Sequence, residues 1–291
     1  MRSPTALRAR AEELAAALPP LLAEAEHLAS TVMMGAHGRR RAGTGDEFWQ
    51  YRPATPGDPA RRIDWRRSAR SDAHFVREKE WQAAQSVLLW VDHSQSMLFT
   101  GSKDRPDKSE RARLLGLAVA VLLNRAGERV GLSGFELPPR SGPLQLLRLA
   151  EVFSDTGGLG DYGEPEARGM LPHARAVFIS DFMGDLAPVE AALAKAADRG
   201  VKGALLQVLD PDEEAFPFNG RTIFESMGGT LHHETLQAGE LRDRYLDRLA
   251  ERKARLSELA HLADWQFSTH HTGDSSQSAL LWLYTALERA A

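Results

Sequence analysis

The chain has 291 residues, 43% of them hydrophobic and 26% charged, with a formal net charge of −4. That composition is too apolar for wholesale disorder, and the length permits one large domain or two small ones. With no cysteine, a disulfide framework, thiolate zinc sites and a cysteine nucleophile are excluded; the mild acidity argues against generic nucleic-acid binding by the chain as a whole.

From Thr5 to Met34 the chain is rich in Ala, Leu and Glu. Leu7, Leu14, Leu18, Leu21, Leu22 and Leu28 recur at near-helical spacing, and Pro19-Pro20 divides the segment, so residues 1–34 read as an N-terminal helical segment. Residues 35–85 differ: ten arginines (Arg39, Arg40, Arg41, Arg52, Arg61, Arg62, Arg66, Arg67, Arg70, Arg77) interleave with Phe48, Trp49, Tyr51, Trp65, Phe75 and Trp81. Glu47–Arg52 and Ala73–Arg77 are expected to be short strands around a loop containing Pro53 and Pro56-Gly57-Asp58-Pro59, an Arg-rich hairpin platform. Eleven basic side chains face seven acidic ones there, a modest local excess.

From 86 to 291 strands alternate with helices. Ser86–Val91 reads as a buried strand, Ser109–Ala126 as a buried helix, Arg129–Phe135 as a strand and Leu144–Phe153 as a helix. Asp155–Met170 is Gly-rich and reads as a loop. Arg175–Ile179, Gly203–Leu209, Thr230–Thr235 and Trp265–His270 are expected strands; Ala187–Arg199, Leu236–Asp264 and Ser276–Glu288 are expected helices. Such alternation predicts an α/β domain with a doubly wound, mainly parallel, Rossmann-like sheet. The longest clean apolar run, Leu114–Leu123, is too short to span a bilayer, and no signal core follows Met1–Arg10; a soluble cytoplasmic protein without a transmembrane segment is expected.

Ligands of open parallel sheets gather at the carboxyl ends of the strands. After Val91 stands Asp92-His93-Ser94-Gln95-Ser96, and after Ile179 stands Ser180-Asp181. Alternate residues of an extended loop point the same way, so Asp92, Ser94 and Ser96 present one carboxylate and two hydroxyls to one point. That oxygen-only set suits Mg²⁺ or Mn²⁺, with Asp181 completing the surroundings and a partner's carboxylate taking the open position. The plainer alternative is that Asp92 and the serines cap the following segment. His232-His233 and His270-His271 are adjacent on strands and cannot chelate as pairs. No phosphate-binding glycine loop and no Gly-x-Ser-x-Gly elbow is present.

The signature Gly45-Asp46-Glu47-Phe48, Arg52, Pro56-Gly57-Asp58, Arg61-Arg62-Ile63-Asp64-Trp65 and Ser68-Ala69-Arg70, followed by Asp92-His93-Ser94-Gln95-Ser96-Met97 and Ser180-Asp181-Phe182, resembles domain-of-unknown-function family 58. The resemblance implies that 86–291 is a von Willebrand factor A-like domain with a metal-ion-dependent adhesion site (MIDAS), whose threonine ligand falls nearest Thr156. It also implies a protein partner, a MoxR-type AAA+ ATPase or its client, in chaperone-like assembly or maturation. Arg52, Arg61 and Arg70 are read either as pairing with Asp46, Asp58 and Asp64 in a structural network or as part of a surface for an acidic protein partner. The competing expectations are a metal-dependent phosphoester hydrolase, with Arg39–Arg41 gripping phosphate, and nucleic-acid binding by the platform.

Overall fold

The computed structural model describes residues 20–32, 39–55, 58–59, 63–69, 74–135, 137–155, 160–225, 229 and 232–289. Gly57, Arg61, Arg70 and Thr156 lie outside the described residues, as do the first 19 residues and the side chains of Asp46 and Arg52. In chain order the elements are α1 (Pro20–Ser30), β1 (Arg39–Pro53), α2 (Trp65–Ser68), β2 (Phe75–Ala83), β3 (Ser86–Val91), α3 (Lys108–Arg125), β4 (Arg129–Leu132), β5 (Leu137–Arg140), α4 (Pro143–Ser154) and β6 (Arg175–Ser180). There follow α5 (Ala187–Asp198), β7 (Lys202–Leu209), α6 (Pro211–Ala215), β8 (Thr222–Glu225), β9 (His232–Thr235), α7 (Arg242–Leu262), β10 (Gln266–His271) and α8 (Ser276–Arg289). The chain divides into two compact units, one comprising residues 1–35 with 86–290 and the other comprising 36–85.

The larger unit is built on a six-stranded sheet of order β10-β7-β6-β3-β4-β5, parallel except for β5, which runs antiparallel to β4. The central strands β3, β6 and β7 are nearly continuous buried runs because both sheet faces are covered there. On β3, Val87, Leu89 and Val91 join one core with Leu115, Leu122, Leu149, Phe153 and Leu283. Leu88 and Trp90 point the other way, into a second core with Phe178, Leu193, Leu256 and Trp265. Helix α1 contributes Leu22, Ala25 and Leu28 to the first core and so belongs to this unit. No helix among the described residues is long and apolar enough to cross a membrane.

Several boundaries differ from the sequence expectations for physical reasons. The fourth strand stops at Leu132 because Gly134 turns the chain with φ of +80°. Leu137–Arg140, with Pro138 and Pro139, becomes a strand because the edge position does not require their missing N–H groups. A Cβ on Gly131 would lie 2.6 Å from the Pro139 nitrogen, so glycine is what lets that edge approach. The last strand before α7 pairs with β8 in a separate hairpin, and α7 begins at Arg242 after a 3₁₀ turn at Ala238–Leu241.

In the smaller unit β1 and β2 form a long antiparallel ribbon with register shifts between Gly43 and Phe48 and between Phe48 and Gln50, longer than the two short strands expected. Asp64 caps α2 by accepting from the Arg67 N–H at 3.0 Å and also receives the Tyr51 hydroxyl at 3.1 Å. The Arg67 guanidinium lies 4.4 Å from the Tyr51 ring centroid. Asp58 closes a turn by accepting from the Thr55 N–H and hydroxyl at 2.7 and 2.9 Å. Asp58 and Asp64 therefore both hold local backbone. Trp65 is 57% exposed, edge-on to His74.

Candidate functional site

The strand order runs outward from β3 to β4 on one side and from β6 to β7 and β10 on the other, so β3 and β6 flank the switch point of the sheet. In open α/β sheets ligands bind outside the carboxyl ends of the strands at such a point. Asp92 follows β3 and extends its pairing, its N–H donating to the Ile179 carbonyl at 2.9 Å. Its Oδ1 accepts from the Ser94 N–H at 2.7 Å and its Oδ2 from the Ser180 hydroxyl at 2.6 Å. The Ser94 and Ser96 hydroxyls stand 3.2 Å apart, so the structure brings the expected acid and two alcohols together. Burial pushes the Asp92 carboxyl above the ordinary carboxylate range; the hydrogen bonds from Ser180 and Ser94 oppose this and the Asp181 charge adds to it.

The loop after α4 closes the site with its main chain. The Gly160 and Asp161 carbonyls accept from the N–H groups of Gln95 and Ser96 at 3.0 and 2.9 Å. A Cβ on Gly163 would stand 2.2 Å from Asp92 Oδ1, so only glycine fits against that carboxylate. His93, between the site residues, turns away: its ring stacks on Phe153 and meets Phe135 edge-on, and burial holds it below the ordinary histidine value.

Asp181 sits at the end of β6, fixed from several sides. Its N–H faces the Met97 sulfur at 3.2 Å, its carbonyl accepts from Gln207 Nε2 at 2.9 Å, and its Oδ1 accepts from the Met183 N–H at 2.9 Å. Its Oδ2 receives the ammonium of Lys108 at 2.8 Å. The same ammonium donates to Glu213 Oε1 at 2.6 Å. Burial acts to lower the Lys108 pKa, but the two carboxylates outweigh it and the net shift is upward, so the lysine is charged. Glu213 is held in turn by a capping box, its Oε2 accepting from the Asp210 N–H at 2.8 Å. Glu213 also lines a cavity of about 630 Å³ with Phe99, Phe216, Phe218, Phe224 and Tyr245.

A second polar cluster joins the ends of β7 and β10. Buried Asp210 accepts from Arg105 Nη2 at 3.0 Å and from the Thr272 hydroxyl at 3.1 Å. His270 meets Arg111, whereas His271 meets Glu214 and Asp274, so the adjacent histidines separate.

Asp92, Ser94 and Ser96 match a hard divalent cation in donor type. Asp181 does not offer its second oxygen freely, because Lys108 holds it. Among the described residues no three His, Cys, Asp or Glu side chains converge as a metal site, so serine hydroxyls must supply part of any such set. Sequence reasoning did not find Lys108, Glu213 or Gly163. One signal was present: a lysine at the first residue of a helix opposes the helix dipole, and a residue that breaks a local rule marks a special environment.

The described residues define a mixed α/β, Rossmann-like protein whose carboxyl-edge site combines carboxylates, hydroxyls and one buried ammonium. The chain belongs to the family described as protein of unknown function DUF58, which it matches over residues 50–255. It is 28% identical over 261 residues to the uncharacterized protein Mb1516 of Mycobacterium bovis and to the uncharacterized protein Rv1480 of Mycobacterium tuberculosis, covering 83% of this chain and 80% of each relative. Similar solved structures include an aerotolerance-related membrane protein from Bacteroides fragilis, with a TM-score of 0.44 and 17% identity, and the conserved hypothetical protein BatB from Bacteroides thetaiotaomicron, at 0.41 and 15%; each likeness covers 71% of this chain and 100% of the other.

Proposed function

We propose that this chain is a non-enzymatic, cytoplasmic protein-interaction module with a von Willebrand factor A-like, MIDAS-type site, accessory to a MoxR-type AAA+ ATPase in assembly or maturation. In this reading Asp92, Ser94 and Ser96 hold Mg²⁺ or Mn²⁺, Asp181 stands beside them, and a carboxylate of the partner protein takes the open position. The observation that carries it is the convergence of the two serine hydroxyls, 3.2 Å apart, beside a buried carboxylate at the sheet's switch point. The AAA+ partner rests on the signature resemblance. A hydrolase would need a base near Asp92, and the neighbouring His93 is packed between aromatic rings instead. Arg39–Arg41 lie on β1, with side chains outside the described residues.

Affinity capture with the native chain is expected to recover an AAA+ ATPase that is lost with Asp92→Ala; equal recovery by both chains would remove the proposal. A finer variant is Gly163→Ala. It keeps every donor but forces the Asp92 carboxylate to move, and is expected to weaken Mn²⁺ binding about 10–100-fold, the usual cost of disturbing what orients a ligand. Calorimetric titration of native and variant chains measures this, and unaltered affinity would place the cation elsewhere.

A further inference from the structure

Lys108 is 1% exposed and is among the largest of the fully buried side chains of the described residues. Burying an ammonium is costly unless it is paired, and the first turn of a helix is electrostatically the wrong place for a cation. Lys108 is nevertheless held there between Asp181 Oδ2 and Glu213 Oε1, at 2.8 and 2.6 Å. The other oxygens of both carboxylates are engaged by main-chain N–H groups, Asp181 Oδ1 by Met183 and Glu213 Oε2 by Asp210. These bonds fix both acids in place, so the ammonium rests on two rigid supports. Asp181 and Glu213 thus share one cation, and the Asp181 charge is also felt by the Asp92 carboxyl.

We infer that the Lys108 ammonium is a built-in cation beside this site: it holds Asp181 Oδ2, so that a divalent ion drawing on the Asp181 carboxylate competes with the Lys108–Asp181 ion pair. The inference rests on the proposed cation site at Asp92, Ser94 and Ser96 and adds its control element. Glu213 gives the displaced ammonium a retained partner, because it already binds Lys108 independently of Asp181. Divalent binding is then coupled to the position of one lysine, and with it to the α6 segment that carries Glu213.

The test is a Mn²⁺ titration, followed by loss of the free-ion paramagnetic signal, on the full chain and two variants. Lys108→Met removes the competitor. Lys108→Met/Glu213→Gln removes it while restoring the cluster's net charge, which guards against misfolding and against a general gain from added negative charge. Removing a cation beside a carboxylate changes its proton affinity by about one to three pKa units, so Mn²⁺ affinity is expected to rise at least about tenfold in both variants. Adding Asp92→Ala to the double variant is expected to abolish the gain. If the wild type binds Mn²⁺ and the double variant binds it no more tightly, the competition is overturned and the cation site stands. Saturable binding by none of the chains overturns the cation site and the inference together.

Discussion

Phe178→Ala is expected to cost about 3–5 kcal/mol of folding free energy, the usual range for removing a fully buried phenylalanine ring. Phe178 is 0% exposed in the middle of β6. Its ring lies edge-to-face with Trp90 at 5.7 Å between centroids and tilted against Trp265 at 4.9 Å. It therefore joins β3, β6 and the residue before β10 on one face of the sheet. Neighbouring aromatics of this size cannot collapse into the vacated volume without leaving their rotamers, so both the lost burial and the cavity contribute. Domains are stable by about 5–15 kcal/mol, so the variant is expected to be near the edge of folding. Denaturant unfolding should show a much lower midpoint with an unchanged slope; a midpoint within experimental scatter of the wild type would contradict the packing described.

The second large effect is a pH dependence set by His270. This side chain is 5% exposed, and burial together with the Arg111 guanidinium lowers its pKa from 6.5 to about 4, against a smaller upward pull from Asp274 and a further small downward one from His271. Its Nε2 stands 3.0 Å from Arg111 Nη1, a contact in which the neutral ring accepts. In the unfolded chain the histidine is free to protonate near its ordinary value. Between about pH 6.5 and pH 4 the unfolded state therefore binds a proton that the folded state does not, and stability falls as pH falls. The contribution is complete above pH 6.5, and about 3 kcal/mol is lost on reaching pH 4. His270→Gln keeps an acceptor for Arg111 and cannot titrate. Unfolding free energies measured from pH 7 to pH 4 should decline less steeply in this variant by about that amount, and parallel profiles for the two chains would refute the assignment.

The parts of the site that were legible in the sequence are those that follow directly from local periodicity. A run such as Ser86–Val91, apolar on successive residues, has to be covered on both faces, and that alone makes Asp92 a strand-end residue. The same reasoning placed Asp181 after Arg175–Ile179. Lys108 was not legible, because it stands 73 residues from Asp181 and 105 from Glu213 and meets them only through the packing of α3 and α6 at the strand ends. Gly163 was hidden in a weakly patterned loop, since a glycine's lack of a Cβ matters only when a carboxylate lies against it. The signature aspartates were legible in part: turn chemistry is local, so the roles of Asp58 and Asp64 in holding nearby backbone follow from the residues around them.

The sequence by itself determined the α/β class, the order of the main strands and helices, and the placing of Asp92, Ser94, Ser96 and Asp181 at strand ends, because hydrophobic periodicity is a property of neighbours along the chain. Only the tertiary structure decided the strand order, the edge role of the Pro-containing β5, the membership of α1 in the core, and the presence of a lysine ammonium between two acids. Those depend on which distant segments share a buried space, and a charge is stable there only when its counter-charges arrive from other parts of the chain.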